Sequence, residues 1–234
     1  MNLLAFETST RRLSVALWHY GERLERDLDL PNGGSEVLLP WVHELLAEGE
    51  LALSQIDGIA YGAGPGGFTG LRLACGVAQG LAFGLDRPVV GVGSLEVLAR
   101  AAHEATGAKK VFTCFDARMN EVYSAAWLLR DAVPMQVLPP AVSAPGEVHV
   151  PNGTDWLGCG DGFDSYGDAL GGVLGETLAH IRSDIFPTAG ALAALAARRF
   201  ARNEGVDAAQ AAPMYVRYKV ALTTAERLAK GGKA

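Results

Sequence analysis

Little in this 234-residue chain suits metal or covalent chemistry. Its five histidines are His19, His43, His103, His149 and His180. No two stand at H-x-x-x-H spacing and there is no H-E-x-x-H, which argues against a helical metal site or a zinc protease. No G-x-S-x-G elbow is present to carry a nucleophilic serine. The three cysteines, Cys75, Cys114 and Cys159, form no C-x-x-C. They read as small apolar core residues in a reducing cytoplasm. Charge is also scarce: 20% of residues, with a net charge of −6. That balance argues against gripping nucleic acid alone, since phosphates demand clustered Lys and Arg, but it leaves RNA handling beside a basic partner open. The N-terminus runs straight into a strand pattern with no basic n-region, so no signal peptide is expected. The most apolar run, Leu71 to Leu85, carries Arg72 and Gln79 and reads as too short to span a bilayer.

What the chain has in quantity is hydrophobic residues, 49%, and glycine, 29 residues. The length is generous for one domain and short for two. Leu3 to Thr8 reads as a buried strand, Leu13 to Trp18 as its hairpin return, and Arg23 to Leu30 as a third strand. Pro31-Asn32-Gly33-Gly34 breaks the chain. Ser35 can cap a helix with the apolar stripe Leu38, Val42, Leu45 and Leu46, in which Pro40 implies a kink or a later start. A strand follows at 56–61, then a glycine-dense turn, a long helix over Leu71 to Leu85, a strand from Pro88 to Val92, and a helix from Ser94 through His103.

The pattern then restarts. FETSTRRLSVALW and FDARMNEVYSAAW align without a gap at an offset of 109 residues, placing Phe6-Glu7 with Phe115-Asp116 and Trp18 with Trp127. An acidic residue closing a first strand before a short hairpin is a specific layout, and it reads as an internal duplication. Two related lobes are therefore expected, 1–107 and 108–234, with the boundary near Gly107. The second reads as reduced. Five prolines between Asp131 and Pro151 point to an extended or edge segment. Trp156 to Gly162 repeats the strand-to-glycine turn. Thr188 caps a helix carrying Leu192, Leu195 and Phe200, which Gly205 ends, and a polar tail runs on to Ala234.

Gly62-Ala63-Gly64-Pro65-Gly66-Gly67-Phe68-Thr69-Gly70 is the densest glycine segment. No Gly-Lys-Ser/Thr follows, so it is not a P-loop. It is either a tight strand-to-helix corner or a cradle whose N–H groups meet an anion. Behind it Gly76, Gly80 and Gly84 lie four apart on one helix face. Three exposed helical glycines cost roughly 3 kcal/mol against alanine. The chain's own sheet or first helix is the expected partner of that stripe, with the remaining apolar faces of both helices left for another subunit. Glu7 and Asp116 suit either a metal-bound water beside a nucleotide or simple capping of their turns; for Asp116, followed by Ala117-Arg118, an ion pair or turn cap is the favoured reading.

Several blocks together resemble the TsaB (YeaZ) family. They are Leu4-Ala5-Phe6-Glu7-Thr8-Ser9-Thr10, Ser14 to Trp18, Leu39-Pro40, Tyr61-Gly62 with Gly64-Pro65-Gly66, Phe68-Thr69-Gly70 and Arg72, Ala78 to Ala82, Asp116 to Met119 with Glu121-Val122-Tyr123, and Pro213, Tyr215 and Arg217. The resemblance runs from the first strand to about Arg217. It implies an α/β protein of the actin/Hsp70-like ATPase (ribonuclease H-like) fold, two related lobes each with a mixed sheet and flanking helices. It also implies a non-catalytic cytoplasmic subunit that pairs with the catalytic homologue TsaD, joined by the ATPase TsaE, in threonylcarbamoyl transfer to the adenosine next to the tRNA anticodon. The tRNA is met indirectly, and the chain pairs with itself when alone. Glu7 stands where the family often has Asp, and Gly34-Ser35 where it often has His before Ser or Thr.

The resulting expectations are specific. No catalytic or metal-ligating residue is assigned, and no intrinsic cofactor; ATP or ADP is expected only in the assembled complex. Candidate cofactor contacts are Glu7, Gly64, Gly66, Gly67 and Thr69. Candidate partner contacts are Leu38, Trp41, Val42 and Leu45 on the first helix, with Leu71, Ala74, Cys75 and Ala78 on the second. No membrane association is expected. The rival readings are an autonomous small ATPase or sugar kinase with Glu7 and Asp116 around magnesium, and a protease, for which no nucleophile–base pair is found.

Overall fold

The structure, a computed structural model, describes residues 1–30 and 34–217. The expected break at Pro31 to Gly33 and the tail through Ala234 lie outside the described residues. Ten strands form two five-stranded sheets. The first holds β1 (Asn2–Glu7), β2 (Arg12–His19), β3 (Glu22–Asp29), β4 (Gly58–Gly64) and β5 (Val89–Gly93) in the order β3-β2-β1-β4-β5. The second holds β6 (Lys110–Asp116), β7 (Val122–Arg130), β8 (Val133–Ser143), β9 (Trp156–Cys159) and β10 (Leu178–Arg182) in the order β10-β9-β6-β7-β8. In each sheet the first three strands pair antiparallel, and the fourth joins the first in parallel. Two sheets of one topology are what the internal repeat implied.

The repeat is not gapless in space. Trp18 pairs with Leu3, but Trp127 pairs with Val111, one place short of the Phe112 that the 109-residue offset demands. The turn between Asp116 and Val122 encloses one residue fewer than that between Glu7 and Ser14. A one-residue change in a hairpin turn shifts the register of everything beyond it.

Among the described residues five α-helices complete the fold: α1 (Gly34–Glu48), α2 (Phe68–Leu85), α3 (Ser94–Thr106), α4 (Gly162–Leu174) and α5 (Ala189–Phe200). α1 runs through Pro40, which sits exposed. α2 begins at Phe68, so the turn before it is shorter than the glycines suggest. At 18 residues α2 is long and apolar enough, by length and composition, to cross a membrane. Its buried side chains Ala74, Cys75, Ala78 and Ala82 pack with β4 and α1, as the inner face of a surface helix does. β8 carries Pro134, Pro139 and Pro140 at the outer edge of its sheet, where a missing N–H does least harm.

The layers run α1 and α2, first sheet, α3 and α5, second sheet, α4. One apolar cluster joins both sheets through the central helices. Ala5, Ala16 and Ala60 meet α5, while Val111, Phe115 and Trp127 lie on its far side. Gly107, at φ +74°, ends α3. The halves do not keep to their own lobes, however. α5, from the second half, docks on the first sheet: Ala189 N donates to Ser14 Oγ (2.8 Å) and Gly190 N to Glu25 Oε1 (2.8 Å). Residues 189–217 therefore pack largely with the lobe assigned to 1–107. A division by sequence misses this because the hydrophobic pattern of a helix does not name the sheet it covers.

Candidate functional site: the interlobe cleft

The two sheets present the carboxyl ends of their parallel strands to a common cleft of about 810 Å³. Corresponding segments of each lobe line it. The first lobe supplies the β1–β2 turn (Ser9, Thr10, Arg11) and the β4–α2 loop (Pro65 to Phe68). The second supplies the β6–β7 turn (Asp116 to Arg118), Asp161 before α4, and Asp164 and Ser165 in its first turn. Ligands of open α/β sheets bind outside strand carboxyl ends, so this is where a small molecule would enter.

The candidate residues scatter. Gly66 and Gly67 line this cleft. Gly64, at φ +112° and followed by a cis peptide to Pro65, faces a neighbouring cavity of about 580 Å³. Thr69 lines a third cavity of about 450 Å³ beside Gly34 and Ser35. Glu7 lines none of the three. It is completely buried, with Oε1 accepting from Ser9 N (2.7 Å) and Oε2 from Ser94 Oγ (3.2 Å). It lies so close over Gly62 that a Cβ there would fall on its carboxylate. Burial pushes its pKa above the ordinary value of 4.5, against the pull of these hydrogen bonds. Glu7 is a strut between β1, β4 and the start of α3, not a cleft ligand. The expectation that it meets a cofactor is corrected accordingly.

The glycines of the turn answer chiefly to packing. A Cβ at Gly66 would fall on the Ser9 carbonyl oxygen, and one at Gly70 on that of Thr8. Gly67 N donates to Ser9 O (2.7 Å) and Thr8 Oγ1 to Gly70 O (2.6 Å). The loop lies flat on the β1–β2 turn, and side chains at these positions would lift it off.

Asp116 is tied in on every side. Oδ1 accepts from Arg118 N (2.7 Å) and Tyr166 Oη (3.3 Å), and Oδ2 from Arg118 Nη1 (3.2 Å) and Ser165 Oγ (3.3 Å). It is both turn cap and ion-pair partner. The acid beside it is Asp161, whose Oδ1 accepts from Asp116 N (3.1 Å). Burial first, and the neighbouring Asp116 charge as well, hold the Asp161 carboxyl above the usual range. Sequence reading missed Asp161, although its place after the second strand-to-glycine turn was a usable signal.

Seven of the eight expected partner contacts also require correction. Leu38, Val42, Leu45, Ala74, Cys75 and Ala78 are at most 5% exposed and lie in the core between the helices and the first sheet; Leu71, 2% exposed, lines the interlobe cleft, and only Trp41 is half-buried. The glycine stripe does the opposite of what was expected. Gly76, Gly80 and Gly84 are exposed, and a Cβ on any of them would meet nothing within 4 Å. α2 carries two stripes at a spacing of four, alanine and glycine. The more apolar one faces inward, since burial there removes more apolar area from water. Phe83, 83% exposed, flanks the glycines.

A family model described as TsaD, tRNA N6-adenosine threonylcarbamoyltransferase, matches residues 34–153. A TsaB protein of Escherichia coli, named for tRNA threonylcarbamoyladenosine biosynthesis, is 34% identical over 230 residues, covering 94% of this chain and 96% of that protein. The Haemophilus influenzae protein of the same name is 46% identical over 123 residues, and the match spans 52% of its length. A solved YeaZ structure from Pseudomonas aeruginosa superposes with a TM-score of 0.83 at 41% identity, covering 92% of this chain and 99% of that one. Two mixed sheets about a shared cleft, each flanked by helices, define a two-lobe α/β protein of the actin-like ATPase class. Within that class the chain belongs to the TsaB (YeaZ) family, whose curated members are named as tRNA threonylcarbamoyladenosine biosynthesis proteins.

Proposed function

We infer that the chain is a non-catalytic scaffolding subunit of tRNA threonylcarbamoyladenosine synthesis, acting in the cytoplasm. It lends the outer face of α2 to a TsaD-type catalytic homologue, with TsaE joining the pair and tRNA met through the assembly. The observation that carries this reading is the open glycine stripe. Three exposed glycines weaken α2 by roughly 3 kcal/mol against alanine, and nothing within the described chain uses the space they leave. Such a stripe lets a second backbone approach closely, and Phe83 beside it supplies apolar area to bury. In the absence of the homologue the same face pairs two copies about a two-fold axis.

The acids that close the two first strands support the non-catalytic part of the reading. Glu7 is enclosed, and Asp116 already accepts four hydrogen bonds. That arrangement does not favour an autonomous kinase with both acids around magnesium. A nucleotide binding within the complex would meet Gly66 and Gly67 at the start of α2.

The test uses Gly80→Leu, which fills the open face of α2 without touching the core. Tagged chain carrying Gly80→Leu, with a melting temperature no lower than that of wild type, is expected to lose co-purification with TsaD and to abolish threonylcarbamoyl transfer by the reconstituted mixture. Wild-type recovery of the pair with Gly80→Leu would reject this face. Brisk tRNA modification by the lone subunit would reject the scaffold reading itself.

A further inference from the structure

Residues 206–217 follow neither sheet, yet they cross from one lobe to the other. Val206 bridges to Val89 at the edge of β5, with both backbone hydrogen bonds at 2.9 Å. Gln79 of α2 then donates to the carbonyls of Ala208 (3.2 Å) and Ala211 (3.0 Å). Ala212 N donates to Tyr61 Oη (3.0 Å), and that hydroxyl donates to Ala212 O (3.2 Å). Met214 N donates to Ala63 O (2.6 Å). The Tyr215 ring lies beside Phe68 with centroids 6.0 Å apart. Up to this point every hold is on the first lobe.

Arg217 then enters the second lobe. Its guanidinium donates to Ala117 O (3.1 Å), pairs with Glu121, and lies 5.8 Å from the Tyr123 ring centroid. The side chain is 13% exposed. Residues 214–216 line both the 810 Å³ and the 580 Å³ cavities, so the segment divides the space between the lobes.

The turn that Arg217 grips is itself unusual. Arg118, Met119 and Asn120 have φ of +61°, +58° and +58°. Three successive side-chain-bearing residues in the left-handed region need outside support to stay there. Asp116 supplies part of it through Arg118 N, the turn's own bonds from Ala117 N to Glu121 O (2.9 Å) and Glu121 N to Arg118 O (3.1 Å) add to it, and Arg217 braces it further by taking the Ala117 carbonyl and the Glu121 carboxylate.

We propose that residues 206–217 form an interlobe clasp pinned at a single point, Arg217, and that releasing the pin frees the strap from the cleft and lets the lobes separate. The asymmetry of the anchors carries the inference. The first lobe holds the strap by several bonds spread over nine residues, whereas among the described residues one side chain, that of Arg217, bonds it to the second. Loss of that side chain removes the second-lobe grip and two supports of the 118–120 turn together. The clasp does not depend on the partner assigned to α2, and its test needs no partner.

Spin labels are placed on the full chain at Ser54→Cys and Asp168→Cys, both exposed; Cys75, Cys114 and Cys159 are buried. Arg217→Ala is expected to lengthen and broaden the interlobe distance distribution, and to raise amide exchange at Ala212 and Met214 at least tenfold. Arg217→Lys, which retains the charge but not the planar fork, is expected to fall between the two. Glu121→Gln gives a second, milder release should Arg217→Ala not fold. Arg202→Ala, an exposed surface pair, is the control. An unchanged distance distribution, with exchange within twofold of wild type in the folded variants, would overturn the clasp.

Discussion

At the scale of single residues, Glu7 shows how a motif position can keep its chemistry and change its task. The carboxylate ends the first strand where an acid was expected, but its two oxygens are taken by Ser9 N and Ser94 Oγ inside the protein. Because burial raises its pKa in the folded state, the folded chain binds the proton more tightly than the unfolded chain. Stability contributed at this site is therefore fully present below the unfolded value of 4.5 and is lost as pH rises through the higher folded value. Glu7→Gln cannot ionise. Wild type is expected to lose stability relative to Glu7→Gln as pH rises from 4.5, measured by urea midpoints across the acid range; a pH-independent difference would contradict this. The identity of the residue was legible in sequence but its direction was not. The Gly62 that makes room for it lies 55 residues away, on a strand whose register is known only once the sheet forms.

At the scale of elements, α2 separates two effects that usually oppose each other. On the open face a methyl group meets nothing, so Gly80→Ala is expected to stabilise the dilute, unassociated chain by about 0.5–1 kcal/mol through helix propensity alone. Equilibrium denaturation at low protein concentration measures it. A loss of stability would mean that the stripe is already occupied. The positions of most elements could be read from the chain. Thr188 caps α5 as expected, its Oγ1 accepting from Ala191 N (3.2 Å). The stripe Leu38, Val42, Leu45 and Leu46 faces the core. What failed was the assignment of faces to neighbours. Alanine and glycine at the same spacing of four give the same periodicity, and only their difference in hydrophobicity points one inward. Helix α4 was overlooked because Gly167, Gly171 and Gly172 depress its propensity, and Tyr166 departs from helical geometry within it.

At the scale of the whole molecule, α3 and α5 form a middle layer that serves both sheets. Arg199 of α5 fastens it: Nη2 pairs with Glu96 of α3 (2.7 Å) and Nη1 donates to Gly91 O of β5 (2.8 Å). Both side chains are less than a third exposed, and burial raises the Glu96 pKa against the opposing pull of the guanidinium. Arg199→Ala leaves that carboxylate largely enclosed and unpaired, and is expected to remove about 3 kcal/mol of stability. Arg199→Met with Glu96→Leu should recover most of it, as read from guanidinium denaturation of wild type and the two variants. Equal losses in the single and double variants would show that the arginine acts through packing alone. The duplicated topology was visible in sequence from one aligned hairpin, but the sharing of helices was not, because no local pattern records which sheet a helix will cover.

That sharing has a consequence for the chain as it leaves the ribosome. The inner surface of the first sheet, where Ala5, Ala16 and Ala60 lie against α5, has no α5 to cover it until Ala189 to Phe200 has been translated. Roughly a hundred further residues must follow β5 before that happens, a wait of about 5–20 s at ordinary elongation rates. The nascent N-terminal half is then an unfinished sheet with one greasy side covered only in part by α3, a ready client for a chaperone and vulnerable to premature termination.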